Sequence, residues 1–520
     1  MTLRKALGTA AIVVPALTLA SACDGLFAKI ASPPAGATIT SRNVSAIFSV
    51  WSGQPPTTIL GSTCRLDSRP EEPCASPHSL SNLSAGEHTI TVTGRDSANR
   101  SVTVSSGFTV NPSLDPGPIT QLSGCWEHSC VVLANGKVRC WGNYYRARLG
   151  YVLGFQNQDI YLGDDELPLT LGDVDVGAPV TQVAAGAEHT CALLGTGKVR
   201  CWGYGYYGVL GYGNTDDIGD DEAPASAGDV NVGGSVAQLV AGGAHTCARL
   251  TNGSVRCWGS NSVGQLGRPA GSPYVGDDES PASVPPVNLP AAALQIAAGI
   301  SHTCALLSTG NVRCWGVNWQ AQLGYPDVYA QSNPSPGGGE VYDPSAVGDV
   351  NIGGPVVQIS AGQGHTCALL TTGKVRCWGD NFFGKLGYGH TAMIGDDEQP
   401  AAAGDVNVGG TVWRIFAGPQ HTCAVLSTGN LRCWGYNAFG QLGYGRGIAD
   451  IGDNETPAGA GDVDVGGPVA QVSMGYDRTC ALLTSGSVRC WGSGRALGYG
   501  ALVTIGDDEP PSRAGDIYIK

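Results

Sequence analysis

Short stretches of alternating apolar and polar residues, closed off by glycine, fill residues 119–520 of this chain. In Cys191–Cys201 two such stretches flank Gly195-Thr196-Gly197, a turn in which glycine supplies positive φ. With Thr196 at the midpoint, Cys191 faces Cys201 and Leu193 faces Val199, and the two-residue period of a strand puts all four side chains on one face. The hairpin ends in Cys-Trp-Gly and recurs: copies start at Cys130, Cys191, Cys247, Cys304, Cys367, Cys423 and Cys480, 56 to 63 residues apart. A period of that length marks one repeat array rather than several domains. Upstream, Ala46–Trp51 and Thr89–Gly94 alternate without any Trp-Gly and read as half-buried strands of a small β-sandwich over 30–112, followed by a Pro-rich linker at 113–118. Arg4 and Lys5, an apolar run from Ala6 to Ala20 and the small residues Ala20-Ser21-Ala22 have the layout of a cleavable signal segment over 1–22.

Composition narrows the class. With 78 Gly, 31 Pro and 14% charged residues in 520, the chain suits short strands and many turns rather than helix bundles. A net charge of −14 has the wrong sign for a phosphate-binding surface, which excludes nucleic acid as the expected partner, and basic adhesion to membranes as well. Small residues before Cys23 resemble the lipobox of bacterial lipoproteins, which implies lipidation of Cys23; Ala-Ser-Ala equally satisfies plain secretory cleavage. Either route takes the mature chain out of the cytoplasm, to the cell envelope if lipid-anchored. Membrane contact is then expected only through that anchor.

An exported chain with 18 Cys should pair most of them. Opposed strand positions suit disulfides Cys130–Cys140, Cys191–Cys201, Cys247–Cys257, Cys304–Cys314, Cys367–Cys377, Cys423–Cys433 and Cys480–Cys490, and Cys64–Cys74 repeats the spacing. Each closes an eleven-residue loop, worth about 2.7 kcal/mol in chain-entropy bookkeeping. Zinc is the alternative, but its cysteines sit closer together and need more ligands nearby. Cys125 is left over.

Ala185-Gly186, His189-Thr190, Trp202-Gly203 and Leu210-Gly211-Tyr212-Gly213, together with the phrase from Cys257 to Gly267, resemble the regulator of chromosome condensation repeat over residues 118–520. The resemblance implies an all-β fold, a seven-bladed β-propeller over 119–520. The stretch Cys64–Cys74, Leu83, Gly86-Glu87-His88-Thr89 and Asp96 resembles an immunoglobulin-like module of bacterial surface proteins, which implies a spacer or adhesive role and no catalytic residue. His88 reads as a structural histidine beside a turn. The chain departs from the repeat family in its cysteines and in Arg139, Arg200, Arg256, Arg313, Arg376, Arg432 and Arg489 before the second Cys. The founding member's nuclear exchange activity does not carry over to an exported acidic chain.

Six repeats carry an acidic turn, Asp164-Asp165-Glu166 and Asp220-Asp221-Glu222 among them, and these turns hold 17 of the 43 acidic residues. Three readings stand: pairing with the strand arginines, a calcium site at Asp220, Asp221, Glu222 and their equivalents, or solvated turns without a partner. His128, His189, His245, His302, His365 and His421, with Arg478 in the seventh place, read as internal hydrogen-bonding groups of each blade rather than a metal ring. Positions that differ between blades are not needed to build a blade. Tyr144, Tyr145, Tyr206, Tyr207, Trp319, Phe382, Phe383 and Phe439 fall in the unequal loops after Trp-Gly and form the candidate binding rim, with packing on neighbouring loops as the alternative. No catalytic constellation stands out from the repeats, and no cofactor is expected. The expected function is a monomeric, non-enzymatic, exported or surface-anchored propeller that binds a protein through these loops. A carbohydrate-binding propeller and a structural envelope protein are the alternatives.

Overall fold

The structure, a computed structural model, describes residues 26–33, 35–39, 44–52, 58–76, 78–81, 83–110, 117–153, 160–269, 273–328 and 339–519. The signal segment, Cys23 and most of the 113–118 linker lie outside the described residues.

Residues 119–519 form seven consecutive antiparallel sheets. In the second, Val180–Ala185, His189–Leu194 and Val199–Gly203 follow one another from the channel outward, and Ile218 adds a bridge beside Gly203. Cys191 lies opposite Cys201, and Leu193 opposite Val199. Eight disulfides join Cys64 to Cys74 and the seven repeat pairs from Cys130–Cys140 to Cys480–Cys490. All seven Trp of Cys-Trp-Gly are fully buried between blades, Trp202 donating Nε1–H to the Arg148 carbonyl of the preceding blade at 3.1 Å. The glycine that follows is obligatory: Gly203 has φ +107°, and a Cβ there would lie 2.6 Å from the Glu188 carbonyl oxygen.

Two kinds of clasp join the blades. The innermost strand of each blade is a sheet edge, whose outward amide and carbonyl need partners. Gln182 supplies both to the next blade, donating Nε2–H to Leu239 O at 2.8 Å while its Oε1 accepts from Leu239 N at 3.0 Å. Gln121, Gln238, Gln295, Gln358 and Gln471 do the same, and Gln471 reaches Leu122 of the first blade to close the ring. Arg414 takes this place in the sixth blade. The second clasp runs from each buried His to a threonine hydroxyl of the next blade, as His189 Nε2 to Thr246 Oγ1 at 2.8 Å, and six blades make it. The seventh blade offers buried Arg478, whose Nε and Nη2 have no hydrogen-bond partner among the described residues, opposite Ser129. The histidines therefore bond across the seams between blades and not inside each blade as the sequence suggested, because each ring faces the middle strand of the next blade.

The strand arginines do not pair with the acidic turns. Arg139, Arg200, Arg313, Arg376, Arg432 and Arg489 reach Asp173, Asp229, Asp349, Asp405, Asp462 and Asp516 at 2.8–3.0 Å, the aspartate of each later Gly-Asp-Val or, in the last blade, Gly-Asp-Ile. The outer strand faces that returning segment, so the arginine meets it first. Arg256 has no such aspartate and donates to the carbonyls of Pro281, Ala282 and Val284.

The N-terminal unit starts at Leu26, ahead of the expected boundary, and has a three-stranded and a five-stranded sheet around Ile39, Phe48, Leu66, Ile90 and Phe108. Its core includes Leu167 and Tyr518 of the propeller's first and last repeats, so the two units pack together. His88 is buried, with Nδ1 2.8 Å from Asp67 and Nε2 3.0 Å from the Ser84 carbonyl.

The clasp histidines make stability depend on pH. Desolvation holds His189, His302 and His421 near a pKa of about 3 and His245 near about 4. The unfolded chain takes up these protons below about pH 6.5 while the folded one does not, so this contribution is complete above that pH and declines beneath it. Thermal melting should fall between pH 6.5 and 5, and a His421→Gln variant should show a shallower fall. In parallel, Arg478→His with Ser129→Thr should complete the seventh clasp and raise the unfolding free energy by about 1 kcal/mol, read as a higher denaturation midpoint; an unchanged midpoint would refute the seam assignment.

Candidate functional site

Turns between the innermost and middle strands, and the loops that leave Trp-Gly, emerge on one face of the ring, while the Gly-containing hairpin turns emerge on the other. In the blade-five loop, Asp380 Oδ1 accepts from Phe382 N at 2.9 Å and Asn381 Oδ1 from Leu386 N at 2.9 Å, so the intervening residues are driven outward. Tyr207 and Phe383 consequently adopt φ +65° and +66°, a region disfavoured for bulky side chains. Phe382 is 64% exposed, Trp319 52%, Tyr206 50% and Phe439 40%. Tyr145, Tyr207 and Phe383 are half-buried. Tyr144 is not on the rim: it is buried and its hydroxyl donates to the Tyr151 carbonyl at 2.8 Å, because the first blade's loop folds inward at this position.

The alternative reading, packing on neighbouring loops, accounts for some of these aromatics and leaves others exposed. Rings of neighbouring blades pack together, Tyr207 on Tyr274 with centroids 5.1 Å apart and Phe383 on Tyr436 at 4.4 Å, yet their partners Tyr206 and Phe382 stay in solvent. Trp126 and Tyr476 are exposed on the same face in turns between inner and middle strands, which sequence reasoning did not single out. The only signal was the replacement of small residues in these turns by aromatics.

The acidic turns converge. In five of them one oxygen of each carboxylate lies within 4.8 Å of the others, as in Asp220-Asp221-Glu222 and Asp507-Asp508-Glu509. Desolvation, then hydrogen bonding to the adjacent aspartate, pushes Glu222 and Glu398 up to about 7 and Glu509 to about 8; desolvation likewise raises Glu166 to about 7. With one convergent oxygen from each side chain, a turn presents three of the six to eight oxygens that calcium takes.

Two further roles were not foreseen. The hydroxyls of Tyr151, Tyr212, Tyr388 and Tyr444 accept from the N–H of the second Cys in their blades and donate to its carbonyl, replacing an outer strand. Their signal was the Leu-Gly-Tyr recurrence. Cys125, free and half-buried, stands where the other blades have glycine. A Cβ at the equivalent Gly186 would lie 2.3 Å from the His189 ring. Burial pushes the Cys125 thiol up to about 11, which makes it a poor nucleophile at neutral pH.

The blade order, the clasped ring and the carboxylate- and aromatic-rich face define a seven-bladed propeller with one elaborated face. The chain carries seven regulator of chromosome condensation (RCC1) repeats, matched at 119–143, 180–209, 236–265, 294–318, 356–385, 414–441 and 469–496. It is 29% identical over 405 residues to the ultraviolet-B receptor UVR8 of Arabidopsis thaliana, covering 75% of this chain and 80% of that protein. It is 32% identical over 315 residues to the human probable E3 ubiquitin-protein ligase HERC6, covering 60% of this chain and 28% of that one, so it spans less than a third of that protein's length. Among solved structures, yeast RCC1 (Prp20) bound to Kap60 superposes with a TM-score of 0.54 at 19% identity, over 76% of this chain and 85% of that one, a likeness of fold.

Repulsion in the acidic turns opposes the histidine effect. A glutamate held at about 8 contributes fully below the ordinary carboxylate range and costs stability as pH rises through 8. Glu509→Gln should therefore raise the melting temperature at pH 9 relative to the parent and leave it unchanged at pH 4.

Proposed function

We propose that this chain is a non-enzymatic, exported binding propeller that engages a protein through the aromatic face. The carrying observation is the division of labour between repeated and unrepeated residues. Gln, His, Trp and the disulfides recur and are consumed in building the ring, while the exposed Tyr206, Trp319, Phe382 and Phe439 sit at positions that differ from blade to blade. Large, stiff aromatic rings at an accessible surface are what binding hot spots are made from. The relatives support this reading by analogy: one is named a receptor, and yeast RCC1 was solved bound to another protein. Eight disulfides support an oxidising destination, in keeping with the signal-like N-terminus and lipidation at Cys23. The two-sheet N-terminal unit serves as an immunoglobulin-like spacer.

Co-purification from envelope extract tests the proposal. The parent chain should retain a discrete partner, and Tyr206→Ala with Phe382→Ala should lose it at unchanged melting temperature. Retention of the same set by the variant would refute a role for this face. The exposed rings would equally stack on sugars, so a glycan array with saturable binding and no retained protein would replace the protein reading by a lectin one.

A further inference from the structure

We infer that the partner of the aromatic face presents a cationic, lysine- and arginine-rich polypeptide segment. This deepens the reading above and rests on it. The argument starts from how the loops meet. Each elaborated loop abuts the acidic turn of the following blade: any side chain at Gly208 would collide with the Asp277 amide, at Gly384 with the Asp453 amide and at Gly440 with the Asp507 amide. Aromatic and acidic groups are therefore not two separate features but one unit that crosses each seam. The loop that carries Tyr206 and Tyr207 thus runs against the backbone of Asp277, that of Phe382 and Phe383 against Asp453, and that of Phe439 against Asp507.

Carboxylates next to an aromatic face form the surroundings that attract an ammonium or guanidinium group, through charge on one side and the ring quadrupole on the other. The chain shows the same chemistry internally, with the Arg146 guanidinium 4.4 Å from the centroid of Tyr204 and 3.5 Å from Asp217.

Most of the face's own cations are committed elsewhere. Six strand arginines pair with the aspartates of the returning segments and Arg256 donates to carbonyls, Lys385 is buried against Asp380, Arg148 is buried and donates to the carbonyls of Ala187 and Tyr145, and Arg268, which feels the charge of Glu279, donates to the Pro285 carbonyl. Arg446 stacks on Tyr444 and donates to the Ala460 carbonyl, and Arg495 is exposed. Asp278, Glu279, Asp508 and Glu509 enter no ion pair among the described residues, and Asp507 Oδ1 and Glu455 Oε2 accept no hydrogen bond. On the opposite face the hairpin turns carry Lys137, Lys198 and Lys374 beside exposed aspartates such as Asp175, so charges of both signs mix there and the clustered carboxylates belong to the aromatic side. A cationic segment is thereby steered to the aromatic face.

Fluorescence anisotropy on the full, oxidised chain tests the inference with three labelled peptides of equal length: one rich in Lys and Arg, one with those positions changed to Glu, and one with them changed to Ser. The cationic peptide alone should bind, and raising salt from low to molar concentration should weaken it at least about tenfold, because exposed charges are screened. Asp277→Asn, Asp278→Asn and Glu279→Gln together should weaken it about tenfold, as should Phe382→Ala with Asp453→Asn, each at an unchanged melting temperature. Lys198→Ala with Lys374→Ala on the reverse face should leave binding as it is or strengthen it. Equal binding of the Ser or Glu peptide, or parent-like binding by both acidic-turn variants, overturns the inference. That failure differs from failure of the aromatic face itself: in the first case Tyr206→Ala with Phe382→Ala still removes the co-purified partner, and in the second it does not.

Discussion

Everything in this ring depends on satisfying the backbone of seven innermost strands that have no further strand beside them. An amide and a carbonyl left bare at each channel-facing edge would cost about 1–3 kcal/mol apiece if desolvated. A glutamine side chain ends in a neutral, planar amide that donates and accepts at once, so Gln182 and its equivalents pair the next blade's backbone as a strand would. The outer edge has the same problem and a different solution, a tyrosine hydroxyl that serves the N–H and carbonyl of one cysteine. Disulfides hold the hairpin between these two edges, and tryptophans fill the wedge between blades. Polar satisfaction, cross-linking and packing thus occupy separate layers of each blade.

Local pairing was legible in the chain because both partners lie within a dozen residues. Cys191 opposite Cys201 follows from a turn and a period of two, and the seven-fold count needs no structure. The pairings that build the ring join residues 57 to 64 positions apart, as Gln182 with Leu239 or His302 with Thr366, and 349 apart where Gln471 closes it on Leu122, and nothing local announces them. Charge was misread at shorter range. Arg200 and the acidic turns recur together, and the partner proved to be Asp229, one segment further on.

The candidate face was legible as variation, not as geometry. Unequal loops marked Tyr206, Phe382 and Phe439, but the same criterion picked Tyr144, which the first blade folds into its core. Variation says only that a position is free of the repeat's own requirements. Trp126 and Tyr476 show the converse, since they lie in the turns between inner and middle strands, where the search for unequal positions did not look.

Arg414 and Arg478 interrupt the two clasps at adjacent seams. Between blades six and seven the glutamine clasp is missing, and between seven and one the His–Thr clasp is missing. The last blade is therefore held to each neighbour by one clasp, where the others are held by two. A closed ring opens at its least cooperative joint, and here that joint is the blade made last during synthesis. The ring is best pictured as a clasped bracelet with its fastening at the C-terminal blade, so hydrogen exchange and insertion of foreign strands would enter there first.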